Sequence, residues 1–322
     1  MADEKPEPKL TTWADLEKQI GPISYAWDGW LPNGLLTILA GLSGEGKSTV
    51  ALYVSGCVTD GYKWPDSAPS NYTGGTVLWC ESESAQAINL QRARKWQLNV
   101  ENFLTPFEDG LVDINFDKPL HKAAVIEKAY LPGVKLIVVD SLSGANNRRE
   151  NETEVKQVTE FLAELARDTG KPILLTHHLR KKGMLDTDTI TLDRLRGSSA
   201  IVQTARVVWA LDKPDPNSTR LRLSMIKNNL ARFTDPIGLE IGEDGLTFGD
   251  APHEPRVETQ ADKAADLIRS LLQREPVAAA KMEAELSQAG YSARTIRAAK
   301  AALKIVSIRK NEGWLWSLPT NE

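Results

Sequence analysis

The stretch that decides the fold runs from Leu35 to Ser48 and reads LLTILAGLSGEGKS. Its first half is an apolar run, and its second half fits the pattern G-x-x-x-x-G-K-[ST]. A strand before such a loop and a helix after it are the context in which the pattern binds phosphate groups, through backbone N–H groups and the helix N-terminus. The residues predicted to bind the phosphates are Gly41, Ser43, Gly44, Glu45, Gly46, Lys47, Ser48 and Thr49.

Two side chains of this loop carry specific chemistry. Lys47 can reach the β- and γ-phosphates of a nucleoside triphosphate, and the hydroxyl of Ser48 can ligate Mg²⁺. The alternative is a glycine-rich turn that matches the pattern by chance, which the flanking strand and helix disfavour. The loop contacts phosphates and therefore does not distinguish one base from another.

Further apolar runs alternate with helical patterns along the chain. They lie at residues 76–80, 135–139, 172–176 and 205–211. Near-continuous apolar runs are typical of strands covered on both faces, and alternation with helices predicts a mainly parallel sheet. Shorter β-like stretches at residues 221–226, 238–241 and 246–248 predict a strand meander at one edge. The predicted fold class is α/β.

Composition and charge exclude several classes of protein. Of the 322 residues, 41% are hydrophobic and 25% are charged, so wholesale disorder is not expected. The absence of a long apolar run and of a signal-peptide core predicts a cytoplasmic protein with no membrane contact. Two cysteines, Cys57 and Cys80, are too few for a disulfide framework or a zinc site and are expected in the core.

Charge is distributed unevenly. The net charge is −4, with 10 Lys+Arg against 7 Asp+Glu in residues 259–322. A mildly basic tail on an acidic body permits contact with a polyanion but does not demonstrate it.

The chain divides into four predicted regions. Residues 1–25 are a polar lead-in with one amphipathic stretch from Trp13 to Ile20, and residues 26–250 are the α/β domain. Residues 251–258 are a proline-containing linker, and residues 259–322 are a small C-terminal domain.

Carboxylates follow two of the predicted strands. Asp140 ends the run at 135–139, where it can hold Mg²⁺ beside the phosphate loop. Glu81 and Glu83 follow the run at 76–80. If that strand neighbours the phosphate-loop strand, one of the two glutamates faces the γ-phosphate and polarises a water molecule. The alternatives are a turn-capping aspartate and ordinary solvated glutamates.

The order of these motifs resembles the RecA-like ATPase core, and specifically the RepA-type hexameric replicative helicases of plasmids and their phage relatives. The segments that carry the resemblance are Trp30-Leu31-Pro32, Thr76 to Glu83, Leu136 to Asp140, Thr176 to Lys181, Arg196-Gly197-Ser198-Ser199 with Arg206, and Lys227-Asn228-Asn229. The resemblance implies ATP as the nucleotide, Mg²⁺ as the metal, and a homo-oligomeric ring, of six subunits, that acts on DNA. It also implies a primase or replication-initiation partner.

The resemblance assigns roles to single residues. It makes Glu83 the catalytic base, with Glu81 pointing elsewhere, and His178 the γ-phosphate sensor. Arg206 matches an arginine finger that enters the neighbouring subunit's site, and Lys227 would be a second cation acting in trans. A second finger at Asn229, where some related ring helicases carry Arg, is doubtful.

The pair His177-His178 has two alternative interpretations, a metal site and plain packing. Adjacent residues on a strand point to opposite faces, which disfavours a metal shared by both.

Basic side chains are the candidates for DNA contact. Two loops that follow predicted strands carry Arg148, Arg149, Lys181 and Lys182, which the resemblance places in the central channel. The alternative is a pair of solvated basic loops.

The tail predicts three helices and a short hairpin. On its third helix Arg294, Arg297 and Lys300 share one face, and the pattern resembles a winged helix-turn-helix that binds DNA. The alternative is a solvated helix face on a docking module. Trp314 and Trp316 are expected in the hydrophobic core.

The predicted function is therefore an ATP-hydrolysing, ring-forming DNA motor, most like a RepA-type replicative helicase. Two alternatives remain open. One is a recombination or repair ATPase that forms filaments on single-stranded DNA, although the lead-in before Trp27 is short for an exchanged segment. The other is a nucleotide-switched replication adaptor that unwinds nothing.

Overall fold

The computed structural model describes residues 11–146, 152–180, 190–195, 203–253, 259–273, 275–310 and 313–319. The chain forms two compact units, Met1–Glu254 and Pro255–Glu322.

The first unit is built on a nine-stranded sheet, with a helix and a two-stranded hairpin before it. The helices are α1 (Trp13–Ile20), α2 (Lys47–Thr59), α3 (Gln86–Lys95), α4 (Pro119–Ala129) and α5 (Glu152–Thr169). The hairpin is β1 (Tyr25–Trp27) and β2 (Leu31–Pro32). The sheet strands are β3 (Leu36–Gly41), β4 (Thr76–Glu81), β5 (Phe103–Leu104), β6 (Val134–Asp140), β7 (Ile173–His178), β8 (Val207–Asp212), β9 (Leu221–Asn228), β10 (Ile237–Gly242) and β11 (Gly245–Asp250).

The strand order across the sheet is β11-β10-β9-β8-β3-β7-β6-β4-β5. The six strands from β8 to β5 run parallel, and β9, β10 and β11 continue the sheet as an antiparallel meander. The predicted α/β class, the mainly parallel sheet and the edge meander are confirmed. The expectation that the strand ending at Glu81 neighbours the phosphate-loop strand is wrong, because β7 and β6 lie between β3 and β4.

Two hydrophobic layers cover the sheet, one on each face. Alternate residues of β3 show the division, since Leu39 packs with α2 while Ile38 packs with α4 and α5. Strands buried on both faces explain the near-continuous apolar runs of the sequence. Both cysteines are buried as predicted, one in each layer, and burial raises the pKa of each thiol.

The phosphate-binding edge is set by the direction of the parallel strands. The carboxyl ends of β3, β7, β6 and β4 meet at one edge of the sheet, and each continues into a loop there. Ligands of open α/β sheets bind at this edge.

The second unit has three helices and a three-stranded sheet. Its elements are α6 (Gln260–Leu272), β12 (Val277–Ala278), α7 (Ala279–Gln288), α8 (Ala293–Ala302), β13 (Val306–Lys310) and β14 (Gly313–Ser317), with strand order β12-β14-β13. Its core includes Ile268, Met282, Leu286, Ile296 and Trp316. Within the described residues, no helix is long and apolar enough to span a membrane.

Candidate active site

The phosphate loop connects β3 to α2 and wraps the first turn of that helix. Gly44 and Gly46 have φ of 82° and 93°, a region that L side chains rarely adopt. A Cβ at Gly46 would also lie 2.3 Å from Cδ1 of Ile241. The loop therefore requires glycine at this position both for its backbone conformation and for space.

Lys47 is the first residue of α2, and its side chain is almost fully buried. Its Nζ donates to the carbonyls of Gly41 (3.1 Å) and Leu42 (2.9 Å) and lies 3.2 Å from Nδ1 of His178. Burial lowers the pKa of Lys47, while the carboxylates of Asp140, Glu45 and Glu83 oppose that shift. The ammonium is thus surrounded by acceptors and points into the site.

Asp140 ends β6 and is buried beside the loop. Its Oδ1 accepts a hydrogen bond from Thr176 Oγ1 at 2.5 Å, and its carboxylate also accepts one from Ser48. Burial raises the pKa of Asp140, and the two hydroxyl donors and Lys47 partly offset this. The structure therefore brings together Ser48 and Asp140, the two predicted magnesium ligands.

Glu83 lies two residues beyond β4 and still reaches the same site. Ser141 donates its hydroxyl to Oε1 of Glu83, and Nε2 of His178 lies 3.4 Å from that oxygen. These bonds, with the nearby Lys47, lower the pKa of Glu83 to about 2. Glu83 is therefore ionised throughout the neutral range.

His178 connects the phosphate-binding cation to this carboxylate. Because an ammonium can only donate, Nδ1 of His178 accepts from Lys47, and Nε2 then carries the proton that Glu83 accepts. The adjacent His177 is fully buried.

Glu81 is held in a different environment. Its carboxylate accepts from Trp79 Nε1 (3.3 Å), Asn89 Nδ2 (3.0 Å) and the backbone N–H groups of Ser82 and Glu83. Burial, and then the nearby Asp140, raise the pKa of Glu81. Its hydrogen bonds hold Glu81 in the wall of the site.

The side chains enclose a cavity of about 180 Å³. That is smaller than the roughly 300 Å³ of a typical small-molecule pocket, so it suits the phosphate end of a nucleotide. Its lining includes Ser43, Gly44, Gly46, Lys47, Ser48, Thr49, Glu83, Asp140 and His178. Gly41 and Glu45 lie behind the lining, where Glu45 Oε2 accepts the Leu42 N–H at 2.7 Å.

Two lining residues were missed from the sequence, Arg92 on α3 and Ser141 after β6. Nothing in the sequence distinguishes Arg92 from Arg94 and Lys95 in the same helical turn. Ser141 was visible beside Asp140, but its bond to Glu83 joins two distant loops.

The donor set fits a magnesium-bound triphosphate. A hydroxyl and a carboxylate oxygen are ligands that Mg²⁺ prefers, and the ion usually takes its remaining ligands from water and phosphate. No group of three or more His, Cys, Asp or Glu suited to an all-protein metal site occurs among the described residues.

Arg206 and Lys227 lie away from this cavity. Arg206 is exposed and precedes β8, whose residue Val207 pairs with Thr37 at the start of β3. The phosphate loop follows the other end of β3, roughly 15 Å away at about 3.3 Å per residue. Lys227 is buried, donates to the carbonyl of Ala205, and has its pKa lowered by burial and by Arg206.

The predicted DNA-binding residues are only partly described. Arg148, Arg149, Lys181 and Lys182 lie outside the described residues, as does the segment Arg196–Ser199. On α8, Arg294 and Arg297 are exposed, whereas Nζ of Lys300 lies 4.4 Å from the ring centre of Trp316.

The expectation that both tail tryptophans are buried is half wrong. Trp316 is buried, but Trp314 is 54% exposed. Their partners on β13 are Ser307 and Arg309, so both rings share one face of the hairpin. Trp316 packs in the core of the unit, whereas Trp314 lies at the hairpin end.

Comparisons with known proteins agree with this architecture. The sequence profile of the AAA domain family matches residues 2–184. The solved ATPase domain of a replicative helicase has a TM-score of 0.54 and 14% identity, over 74% of this chain and 96% of that chain. A KaiC-like protein from Pyrococcus horikoshii OT3 has a TM-score of 0.52 and 18% identity, over 71% of this chain and 100% of that chain. A comparison with curated proteins gave no match.

Proposed function

The chain belongs to the AAA domain family and is a P-loop ATPase of RecA-like fold, and from that premise we propose that it is a ring-forming, ATP-driven DNA motor, most like a RepA-type replicative helicase. The observation that carries the proposal is the hydrogen-bonded series Lys47–His178–Glu83 at the carboxyl edge of the sheet. It joins the phosphate-binding cation to a carboxylate that can direct water, and it ends at the loop after β7.

ATP would lie with its phosphates in the glycine loop. Lys47 would bind the β- and γ-phosphates, and Ser48 and Asp140 would hold Mg²⁺, which neutralises phosphate charge when bound. Arg92 lines the same cavity and would add a further cation.

Glu83 would orient and polarise the attacking water. Its pKa of about 2 reflects the proton that His178 shares with it. A γ-phosphate that accepts this N–H instead would release the carboxylate, and its basicity would rise. His178 would thus make the carboxylate available when ATP is present, and would transmit loss of the phosphate to the loop after β7.

Arg206 would act in the neighbouring subunit. Its exposure, and its position at the edge opposite its own phosphate loop, support a role in trans. A guanidinium there would stabilise charge in the transition state and couple hydrolysis to assembly. A trans role for Lys227 is a weaker part of the proposal, because its ammonium already binds a carbonyl of its own chain.

DNA would bind at the loops after β6 and β7 and at the second unit. Arg148, Arg149, Lys181 and Lys182 belong to those loops. Arg294 and Arg297 on α8 suit a winged-helix contact to phosphates, whereas Lys300 is engaged with Trp316. A primase or replication-initiation partner rests on the family resemblance alone.

The test is a forked-DNA unwinding assay beside ATPase rates with and without single-stranded DNA. We expect DNA to stimulate hydrolysis, wild type to separate strands, and Glu83→Gln to bind the fork without separating it. Brisk hydrolysis with no strand separation on forks of either polarity would overturn the helicase proposal. Electron microscopy of the ATP-bound form would then identify filaments, as expected of a recombinase. An ATPase rate indifferent to DNA would favour the adaptor.

A further inference from the structure

The amphipathic helix α1 exposes its apolar face. Trp13 is 90% exposed and Leu16 is 42% exposed, so no described part of the chain covers them. The helix has eight residues and begins with a capping box between Thr12 and Asp15. Helices shorter than about 12 residues are marginal in water, and their stability comes from packing of the apolar face. α1 therefore needs a surface that covers Trp13.

A matching apolar groove lies at the β5 edge of the sheet. It has a volume of about 420 Å³ and is lined mostly by apolar side chains from β4, α3 and the chain around β5. Leu90 and Leu111 line it and are 53% and 77% exposed. Exposed apolar groups around a concave apolar floor are typical of a docking site.

The chain's own α1 is poorly placed to fill this groove. The hairpin that follows α1 is fixed beside β3 and β8, where Trp209 Nε1 donates to the carbonyl of Trp30. Four strand spacings separate β3 from β5, about 19 Å at 4.8 Å each. The connector from Gly21 to Ser24 spans at most about 14 Å when extended. A second copy that abuts the first does not have this restriction.

Charge also favours this pairing. The last turn of α3 carries Arg92, Arg94 and Lys95 beside the groove, and α1 carries Asp15 and Glu17. Opposite charges at the rim of an apolar contact steer association and fix its register.

We infer that α1 of one copy docks into the β5-edge groove of an adjacent copy, with Trp13 as its anchor. The inference rests on the self-assembly in the proposed function and identifies a surface that would carry it. An arm this short reaches only a directly adjacent copy, as in a closed ring.

Disulfide trapping of the full chain tests the inference. The native cysteines are buried, so added ones at exposed positions react selectively. Trp13→Cys protein is mixed with Leu90→Cys protein and oxidised, with and without Mg-ATP. We expect a mixed dimer at a yield at least about tenfold above that of a Lys18→Cys control on the polar face of α1.

The double variant Trp13→Cys/Leu90→Cys should give a ladder of linked chains. An internally linked monomer would show that the groove is filled by its own helix, and absence of any adduct would remove the contact; either result overturns the inference. As a second measurement, Trp13→Ala/Leu16→Ala should weaken self-association by about 30-fold or more in sedimentation, as loss of an aromatic anchor does. An unchanged association constant would also overturn it.

The same reagents separate this inference from the proposed function. Trapping in a Lys47→Ala background does not require hydrolysis. An adduct without DNA unwinding would leave the docking intact and the motor proposal refuted, whereas unwinding without an adduct would do the reverse.

Discussion

The two edges of the central sheet differ in where their polar groups find partners. At the carboxyl edge, Lys47, Asp140 and Glu83 are bound to groups of the same chain. At the opposite edge, Arg206 presents its charge to solvent. The first edge has the composition of a self-contained phosphate site. The second has what such a site lacks, a guanidinium available to another subunit.

The carboxyl edge also shows how two similar residues acquire different chemistry. Glu81 and Glu83 are two positions apart, yet burial raises the pKa of one and hydrogen bonds from His178 and Ser141 lower the pKa of the other. The difference arises because Glu81 ends a strand inside the wall, whereas Glu83 lies on the loop that faces the cavity.

The largest expected effect comes from removing the cation of the carboxyl edge. Lys47→Ala should lower kcat/KM for ATP by on the order of 10⁴-fold, because both phosphate binding and transition-state charge lose a buried ammonium. Steady-state hydrolysis with calorimetric nucleotide binding measures this, and thermal unfolding checks that the variant folds. Lys63→Ala, at an exposed lysine, is the control. Retained affinity and turnover in Lys47→Ala would mean that the nucleotide site lies elsewhere.

The next effect separates the two glutamates. Glu83→Gln should reduce kcat by about 10³-fold with nucleotide binding retained, the range for loss of a catalytic base. Glu81→Gln keeps the shape of the wall and should reduce kcat less than about tenfold in the same assay. Single-turnover hydrolysis in both variants decides it. Equal losses would show that the distinction in hydrogen bonding has no catalytic meaning.

Much of this arrangement could be predicted from the sequence, and the parts that could not have physical reasons. The phosphate loop and the strand ends at Asp140 and His178 are local features, visible as apolar runs with polar residues behind them. Strand order is not local, since parallel strands joined by helices can be placed in several orders. That is why β4 was expected beside β3 and lies three positions away.

Side-chain surroundings were the other difficulty. Trp314 and Trp316 share a face at period two, and only the position of the helices decides which of them is covered. Arg92 lines the cavity, while its neighbours in the same helical turn do not. In each case the deciding contact comes from a distant segment of the chain.

The opposite edge is tested by complementation between subunits. Arg206→Ala should lower kcat by about 10²-fold, as loss of one charged transition-state donor does. Mixing Arg206→Ala with inactive Lys47→Ala should restore part of the activity, because Lys47→Ala subunits can supply Arg206 to intact phosphate loops. The rate is measured against the mixing ratio, with Arg232→Ala as the control at another exposed arginine. A rate that never exceeds the sum of the two components would place the role of Arg206 within its own subunit, or remove it.

The smallest effect is a change in ionisation at the carboxyl edge. In wild type the pKa of Glu83 is about 2, mainly because His178 donates a hydrogen bond to it. His178→Ala should therefore raise this pKa towards the usual 4.5, and Ser141→Ala should raise it less. A carboxylate with a depressed pKa stabilises the folded state fully above its unfolded pKa, near 4.5, and this contribution is lost as pH falls towards 2. Carboxyl ¹³C shifts of Glu83 followed between pH 2 and pH 6 measure the change. If His178→Ala leaves the titration where it was, His178 does not hold the carboxylate, and its proposed release by a γ-phosphate has no basis.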